Sequence, residues 1–183
     1  KAELDSASLR CPVPNGADSP LQHNCSGKHA AFLATSRKMG WPIETYLQQD
    51  HPLQVEVNRR VAELIGLPAE ELVAERDDCG APTLVLQLAQ MALLYAHLGA
   101  SQHAELEQIS RAMLSHPDLV AGEGRFDTEL MRRSHGQVLS KGGAEGIQCL
   151  SRVGEGLGVA IKVEDGSRPV SYTHLRAHET QRY

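Results

Sequence analysis

Long runs of like charge and long apolar stretches are both missing from this chain. Its 183 residues carry 18 Lys and Arg against 23 Asp and Glu, a net charge of -5, with no Lys/Arg run. The field that holds a polyanion or an anionic membrane is therefore lacking, and neither nucleic acid nor a membrane is an expected partner. The longest apolar region, Leu84 to Leu98, is interrupted by Gln87, Gln90 and His97 and falls short of a bilayer span. Cysteine is scarce as well. Cys11, Cys25, Cys79 and Cys149 are too sparse for a disulfide scaffold and show no zinc-ribbon spacing, which leaves reduced thiols in the cytoplasm as the expectation. No internal repeat is visible. A hydrophobic content of 41% over this length suits one compact unit.

The pattern along the chain predicts a helical block followed by strands. Residues 1–20 hold Pro12, Pro14, Gly16 and Pro20 and read as a connector, with loop expected as far as His23. A helix is expected from Ser26 to Met39, ended by Gly40 and Pro42. A second runs from Pro52 to Ile65, with Leu53, Val57, Val61, Leu64 and Ile65 at helical spacing and Gly66 and Pro68 closing it. Leu72 to Glu75 reads as a short strand before the Asp77-Asp78-Cys79-Gly80 turn. Pro82 is then expected to open a third helix reaching Leu98, apolar around most of its circumference and so buried centrally. A fourth is expected over Gln102 to Ser115, with Leu106, Ile109 and Met113 inward, and a short fifth over Phe126 to Arg133.

Val138 to Ser140, Ile147 to Leu150 and Val159 to Val163 are short apolar or alternating runs between Gly-containing turns, the pattern of strands. This order of elements predicts an α+β domain over residues 21–169, helical over about 26–134 and stranded over about 138–163. The closing VSYTHLRAHETQRY, within residues 170–183, resembles an adapter sequence translated in frame. It is set aside as a non-native tail, and the helical spacing of His174 and His178 carries no weight.

Three short segments carry chemistry-bearing residues. In Asn24-Cys25-Ser26-Gly27-Lys28-His29-Ala30 a helix beginning near Ser26 sets Cys25, Lys28 and His29 on one side of its first turn. The free N–H groups there favour a thiolate. The spacing equally admits a buried thiol, a capping Ser26 and a solvated Lys28. Cys79 stands in a turn before the expected third helix with Asp77 two residues upstream, so two cysteines at two helix starts could meet over one pocket. Such separated ligands are no signature in themselves. Lys141-Gly142-Gly143 follows a strand, and the chain has only five lysines. A lysine there, with glycines that admit a ligand to the backbone, can activate a hydroxyl or hold a carboxylate; an exposed turn lysine satisfies the same pattern.

Taken together, NCSGKHA at Asn24 to Ala30, DDCGAPT at Asp77 to Thr83 and SKGGAEG at Ser140 to Gly146 resemble the three downstream motifs of the bacterial L-asparaginase family of the inducible rhizobial type. The resemblance runs from about Leu21 to Gly166. It implies a serine β-lactamase-like or glutaminase-like fold, here incomplete, and hydrolysis of L-asparagine to L-aspartate and ammonia, with a homodimer as a possible assembly. It further implies a zinc ion held by Cys25, Lys28 and Cys79, substrate contacts from His29 and Asp77, and a catalytic Lys141 that pairs with a serine. These groups are expected to converge, the two sulfurs and the Lys28 amine beside Lys141. Asp78 stands where the family has glycine, which predicts slight distortion of the turn.

Lysine binds zinc only as the neutral amine, and lowering its pKa from 10.4 to about 7 costs on the order of 4 to 5 kcal/mol. Two thiolates and Zn2+ sum to no net charge, and metal binding offsets that cost. Acyl transfer on this fold uses a Ser-x-x-Lys pair on an early helix, and none occurs in the sequence. The chain therefore reads as an N-terminally truncated fragment that is inactive alone. Two rivals stand beside this reading: a cysteine hydrolase with Cys25 as nucleophile and Lys28 as base, and a non-catalytic zinc module in which Cys25 and Cys79 staple two helices.

Overall fold

A computed structural model of the chain describes residues 19–166 and Gly16. The expected connector over 1–20 lies largely outside these residues, and the 170–183 tail wholly so. The chain divides into two compact units, the first ending at Val85 and the second beginning at Leu86.

In the first unit a 3-10 turn at Pro20–Gln22 leads into α1, Ser26–Met39, and α2 follows at Pro52–Ile65. Both helices keep the predicted bounds, the end of α1 and both ends of α2 being written in the sequence. Gly40 and Gly66 close them in the left-handed region, at φ 72° and 71°, where a side chain would be strained. Pro52 opens α2 without losing a needed N–H, and His51 caps it by accepting the Leu53 N–H at 3.1 Å. Between the helices, Leu33, Tyr46 and Leu53 form the buried core, with Ala30, Phe32, Trp41, Ile43 and Leu47 packed around it. The Gln54 amide donates to the Tyr46 carbonyl at 2.7 Å, tying the connecting segment to α2.

After a 3-10 turn at Ala69–Glu71, β1 (Ala74–Arg76) and β2 (Pro82–Leu84) pair antiparallel around the Asp77–Gly80 turn. Pro82 therefore starts a strand, not the expected helix. Proline suits the first residue of an edge strand as well as the first turn of a helix, and the hairpin takes Thr83 and Leu84 into its register opposite Glu75 and Ala74. The third helix begins six residues later than predicted, after a capping box in which Gln87 and Gln90 satisfy each other's backbone N–H groups.

That helix, α3 (Leu88–Ala100), belongs to the second unit with α4 (Ala104–Ser115), α5 (Pro117–Ala121), α6 (Phe126–Arg133) and an antiparallel sheet in the order β3 (Val138–Gly142), β4 (Ile147–Arg152), β5 (Leu157–Lys162). The predicted strands are all present. α3 packs on β4 and β5, and Gly158 permits the approach: a Cβ there would stand 1.9 Å from the Ala92 carbonyl oxygen. The expectation of a fully buried α3 is not met. The sheet covers one face, and Leu88 and Leu93 on other faces are exposed. In α4, Ile109 is exposed where it was expected inward, and Ser110 takes the buried position; α5 was not foreseen. The architecture is mixed helix and antiparallel strand, compatible with α+β, with a hairpin inserted in the helical block. Among the described residues no helix is long and apolar enough to cross a membrane.

Candidate functional site

In the first unit, the end of the 3-10 turn and the start of α1 bring three side chains together. The Ser26 N–H donates to the His23 carbonyl at 2.9 Å, closing a tight turn over His23 to Ser26. Within it, the Cys25 N–H donates to His23 Nδ1 at 3.0 Å, which fixes the imidazole beside the helix start. Cys25 is the N-cap of α1 and its side chain makes no capping bond there, leaving the sulfur half-exposed.

The β1–β2 turn supplies the second sulfur. Asp77 Oδ1 accepts the Cys79 N–H at 2.9 Å and the Ala81 N–H at 3.0 Å, an arrangement in which a carboxylate organises its own turn. Asp77 N–H donates to the Ala81 carbonyl at 3.0 Å, and Arg76 donates to the Gly80 carbonyl at 2.8 Å. The one left-handed residue of the turn is Gly80, at φ 76°; Asp78 is exposed and holds no positive φ, so the turn closes with no glycine required at 78. Cys79 is buried and stands in a hairpin turn, which corrects the picture of two helix starts.

The two sulfurs meet. Cys25 Sγ, Cys79 Sγ and a ring nitrogen of His23 all lie within 4.8 Å of one another, and Cys79 Sγ is 3.9 Å from His23 Nδ1 and 4.0 Å from Nε2. Burial, the neighbouring Cys25 and the Asp77 charge push the Cys79 thiol up to about 12, Lys28 opposing them weakly. Two sulfurs and an imidazole form the donor set that suits zinc, whose positive charge would hold both sulfurs as thiolates.

Lys28, one turn along α1 from Cys25, forms an ion pair with Asp77 Oδ2. Partial burial works to raise the Asp77 carboxyl, but the Lys28 bond and the Ala81 and Cys79 N–H groups together bring it below its ordinary value. His29 points inward and is fully buried. Its Nδ1 is 2.8 Å from the Tyr46 hydroxyl, the two rings meeting edge to face, while its Nε2 has no hydrogen-bond partner among the described residues. Burial and the Lys28 charge hold the imidazole below its usual pKa.

Lys141 belongs to the second unit. It is the penultimate residue of β3, opposite Cys149 in β4, exposed, and its amine donates to the Gly142 carbonyl. Beneath it lies a buried network that sequence reading missed. Asp127 Oδ1 accepts from the Ser140 hydroxyl at 2.5 Å and from the Gln148 amide at 2.7 Å, and Oδ2 accepts the Gly142 N–H at 2.9 Å. A Cβ on Gly142 would stand 3.2 Å from Gln148 Oε1 and 3.3 Å from Asp127 Oδ2. This glycine thus lets the strand close on the carboxyl. Cys149 is buried, and burial pushes its thiol up to about 11.

Of the residues singled out in the sequence, the structure brings Cys25, Lys28, Asp77 and Cys79 into one neighbourhood of the first unit, with His29 buried behind them. His23 was missed although it precedes Cys25 by only two residues, a short His-x-Cys spacing that is a ligand signal of its own.

A helix-start cysteine facing a turn cysteine, with a lysine–aspartate pair alongside, belongs to a chain whose residues 1–178 match the L-asparaginase II family. The chain is a member of that family, which supports an asparaginase-type amidohydrolase function. No curated protein matches it.

Proposed function

We propose that this chain is part of a zinc-containing L-asparaginase of the inducible rhizobial type, on a serine β-lactamase-like fold, that hydrolyses L-asparagine to L-aspartate and ammonia in the cytoplasm. The observation that carries the reading is the meeting of the Cys25 and Cys79 sulfurs, distant in sequence, beside the Lys28–Asp77 pair. Zinc would be held by the two thiolates, with Lys28 as the third donor that the family resemblance implies, and would supply a Lewis acid beside the substrate amide.

The chain's own residues bind and orient. Asp77, kept ionised by Lys28 and two backbone N–H groups, is matched to the α-ammonium group of an amino acid substrate. The unpartnered His29 Nε2 supplies a further polar contact, and its bond to Tyr46 fixes the ring. Lys141, on a strand anchored through Asp127, takes or holds the proton of a serine hydroxyl. That serine and the Ser-x-x-Lys pair are contributed by residues outside this chain, since the sequence contains no such pair.

Metal analysis tests the reading. The purified 183-residue chain should hold one equivalent of zinc, lose it on Cys25→Ser or Cys79→Ser, and fail to hydrolyse asparagine. Joined to an upstream segment carrying Ser-x-x-Lys it should become active, with activity abolished by a chelator. Absence of bound metal removes the site, and chelator-insensitive activity blocked by alkylation of Cys25 would point to the cysteine hydrolase instead.

A further inference from the structure

We infer that Asp127 is the positioning residue for Lys141, holding the backbone on either side of it so that its amine stands in one place. The inference rests on the role proposed above for Lys141 and adds a residue to it. Lys141 needs such a hold. It is the penultimate residue of β3, a strand that pairs with β4 on one side and with no strand on the other among the described residues. The next two residues are Gly142 and Gly143, the least restrained backbone that a chain can have. An edge strand that ends in two glycines frays, and a lysine there moves with it.

Asp127 removes that freedom from both sides. Its Oδ1 accepts the Ser140 hydroxyl at 2.5 Å and its Oδ2 the Gly142 N–H at 2.9 Å, so one carboxyl spans the residues before and after Lys141. The Gly143 N–H is bonded to the Ile147 carbonyl of β4 at 2.8 Å. By the alternation of an antiparallel ladder the Gly142 N–H then points off the open edge, where Asp127 meets it. Side chains alternate too, which puts Lys141 on the face of Cys149 and Ser140 on the other. The carboxyl thus acts on Lys141 through the backbone and not by contact. Gly142 is the link: its N–H is held by Asp127, and its carbonyl accepts the Lys141 amine.

The clamp is itself fixed. Asp127 lies buried in the first turn of α6, and the adjacent Thr128 hydroxyl, fully buried, is 2.7 Å from the Gly122 carbonyl and 3.0 Å from that of Pro117. Gln148 braces the other end by donating to Asp127 Oδ1 at 2.7 Å and to Ser140 Oγ at 3.0 Å. Because Ser140 and Gln148 also bond each other, the contact that Asp127 alone supplies is the one to Gly142.

NMR of the full 183-residue chain with 13C-labelled lysine and 15N-labelled glycine tests this, Lys141→Arg assigning the one signal among five lysines. A held amine gives two ε-methylene proton resonances and a free one gives a single averaged resonance. Lys141 should show two. Across Asp127→Ala, Asp127→Asn and Ser140→Ala that splitting should follow the Gly142 amide proton, lost wherever the proton moves to the position of an unbonded amide and kept wherever it does not, whatever the fall in the unfolding midpoint. A splitting that survives the release of Gly142, or that vanishes with Gly142 still bonded, overturns the inference, as does a single resonance in the wild type. In the enzyme joined to an upstream Ser-x-x-Lys segment, Asp127→Ala should lower kcat by up to about 100-fold with KM little changed, as expected for a reacting group misplaced by about 1 Å. Full activity of Lys141→Met in that enzyme would overturn the role given to Lys141 and leave its positioning by Asp127 standing.

Discussion

Two carboxyl groups organise polar clusters in this molecule, Asp77 in the first unit and Asp127 in the second, and the contrast between them separates a site from a scaffold. Each takes backbone N–H groups of a turn or strand: Cys79 and Ala81 for Asp77, Gly142 for Asp127. Around Asp127 the donors converge on the carboxyl and on one another, Gln148 also donating to Ser140 Oγ at 3.0 Å, and the group is buried with Ser140 and Gln148. Around Asp77 the neighbours are two thiols, an imidazole and a lysine, half-exposed except for the buried Cys79, whose strongest chemistry is toward a ligand. A buried acid whose partners are all local holds structure. An acid that positions soft donors around a common point prepares a site.

The sharpest test of that division is Asp127→Ala. It leaves the Ser140 hydroxyl and the Gly142 N–H without their acceptor inside the second unit and the Gln148 amide with its bond to Ser140 Oγ at 3.0 Å, at a cost of about 3 to 4 kcal/mol in unfolding free energy. Asp127→Asn preserves volume but turns an amide toward donors, and should cost roughly half as much. Urea denaturation at neutral pH measures both. Zinc affinity of the first unit should be unchanged, and a parallel loss of affinity would break the comparison.

The second test acts on the other cluster. Zinc at a free concentration 100 times its dissociation constant should stabilise the native chain by about 2.7 kcal/mol by mass action. A chelator should reverse the rise in thermal midpoint. In Cys79→Ser the rise should vanish while the metal-free midpoint moves little, because the Cys79 turn is held by Asp77 and not by the sulfur. A large loss of metal-free stability in that variant would make Cys79 a core residue, as its burial alone would suggest.

How far these clusters could be read from sequence follows from how local their signals are. The bounds of α2 were legible because proline, glycine and helical periodicity agreed at both ends, and the end of α1 because Gly40 and Pro42 mark it. Pro82 was misread because its fixed φ and missing N–H serve a helix start and an edge-strand start equally. The deciding information was the capping box at Gln87 and Gln90, which marks the true start of α3. Cys25, Lys28, Asp77 and Cys79 were visible as a set through motif resemblance, since nothing local says that a helix start and a distant turn meet. His23 was lost in the Pro-rich segment read as a connector. Asp127 was illegible for another reason: an acid in the first turn of a helix is ordinarily a solvated partner of the dipole, and its burial arises only when β3 packs against α6 and Gln148 of β4 reaches the carboxyl.

A third carboxyl, Glu56 on α2, gives the smallest effect and sets the baseline for the other two. It is exposed and bonded to Arg59 and Arg60, at 2.7 to 2.9 Å, one turn along the helix. These bonds lower it from 4.5 to about 2. A depressed folded-state pKa means that the contribution to stability is present above 4.5 and is lost as pH falls from there through about 2. Glu56→Gln should therefore lower the thermal midpoint slightly at pH 7 and converge on the wild type only below about pH 2. Salt at 1 M should shrink the difference at pH 7, since the Debye length there is only about 3 Å and the groups are open to solvent. A difference that survived salt would mean that Glu56 is shielded, and the distinction between exposed pairs and organising carboxyls would then have to be redrawn for this protein.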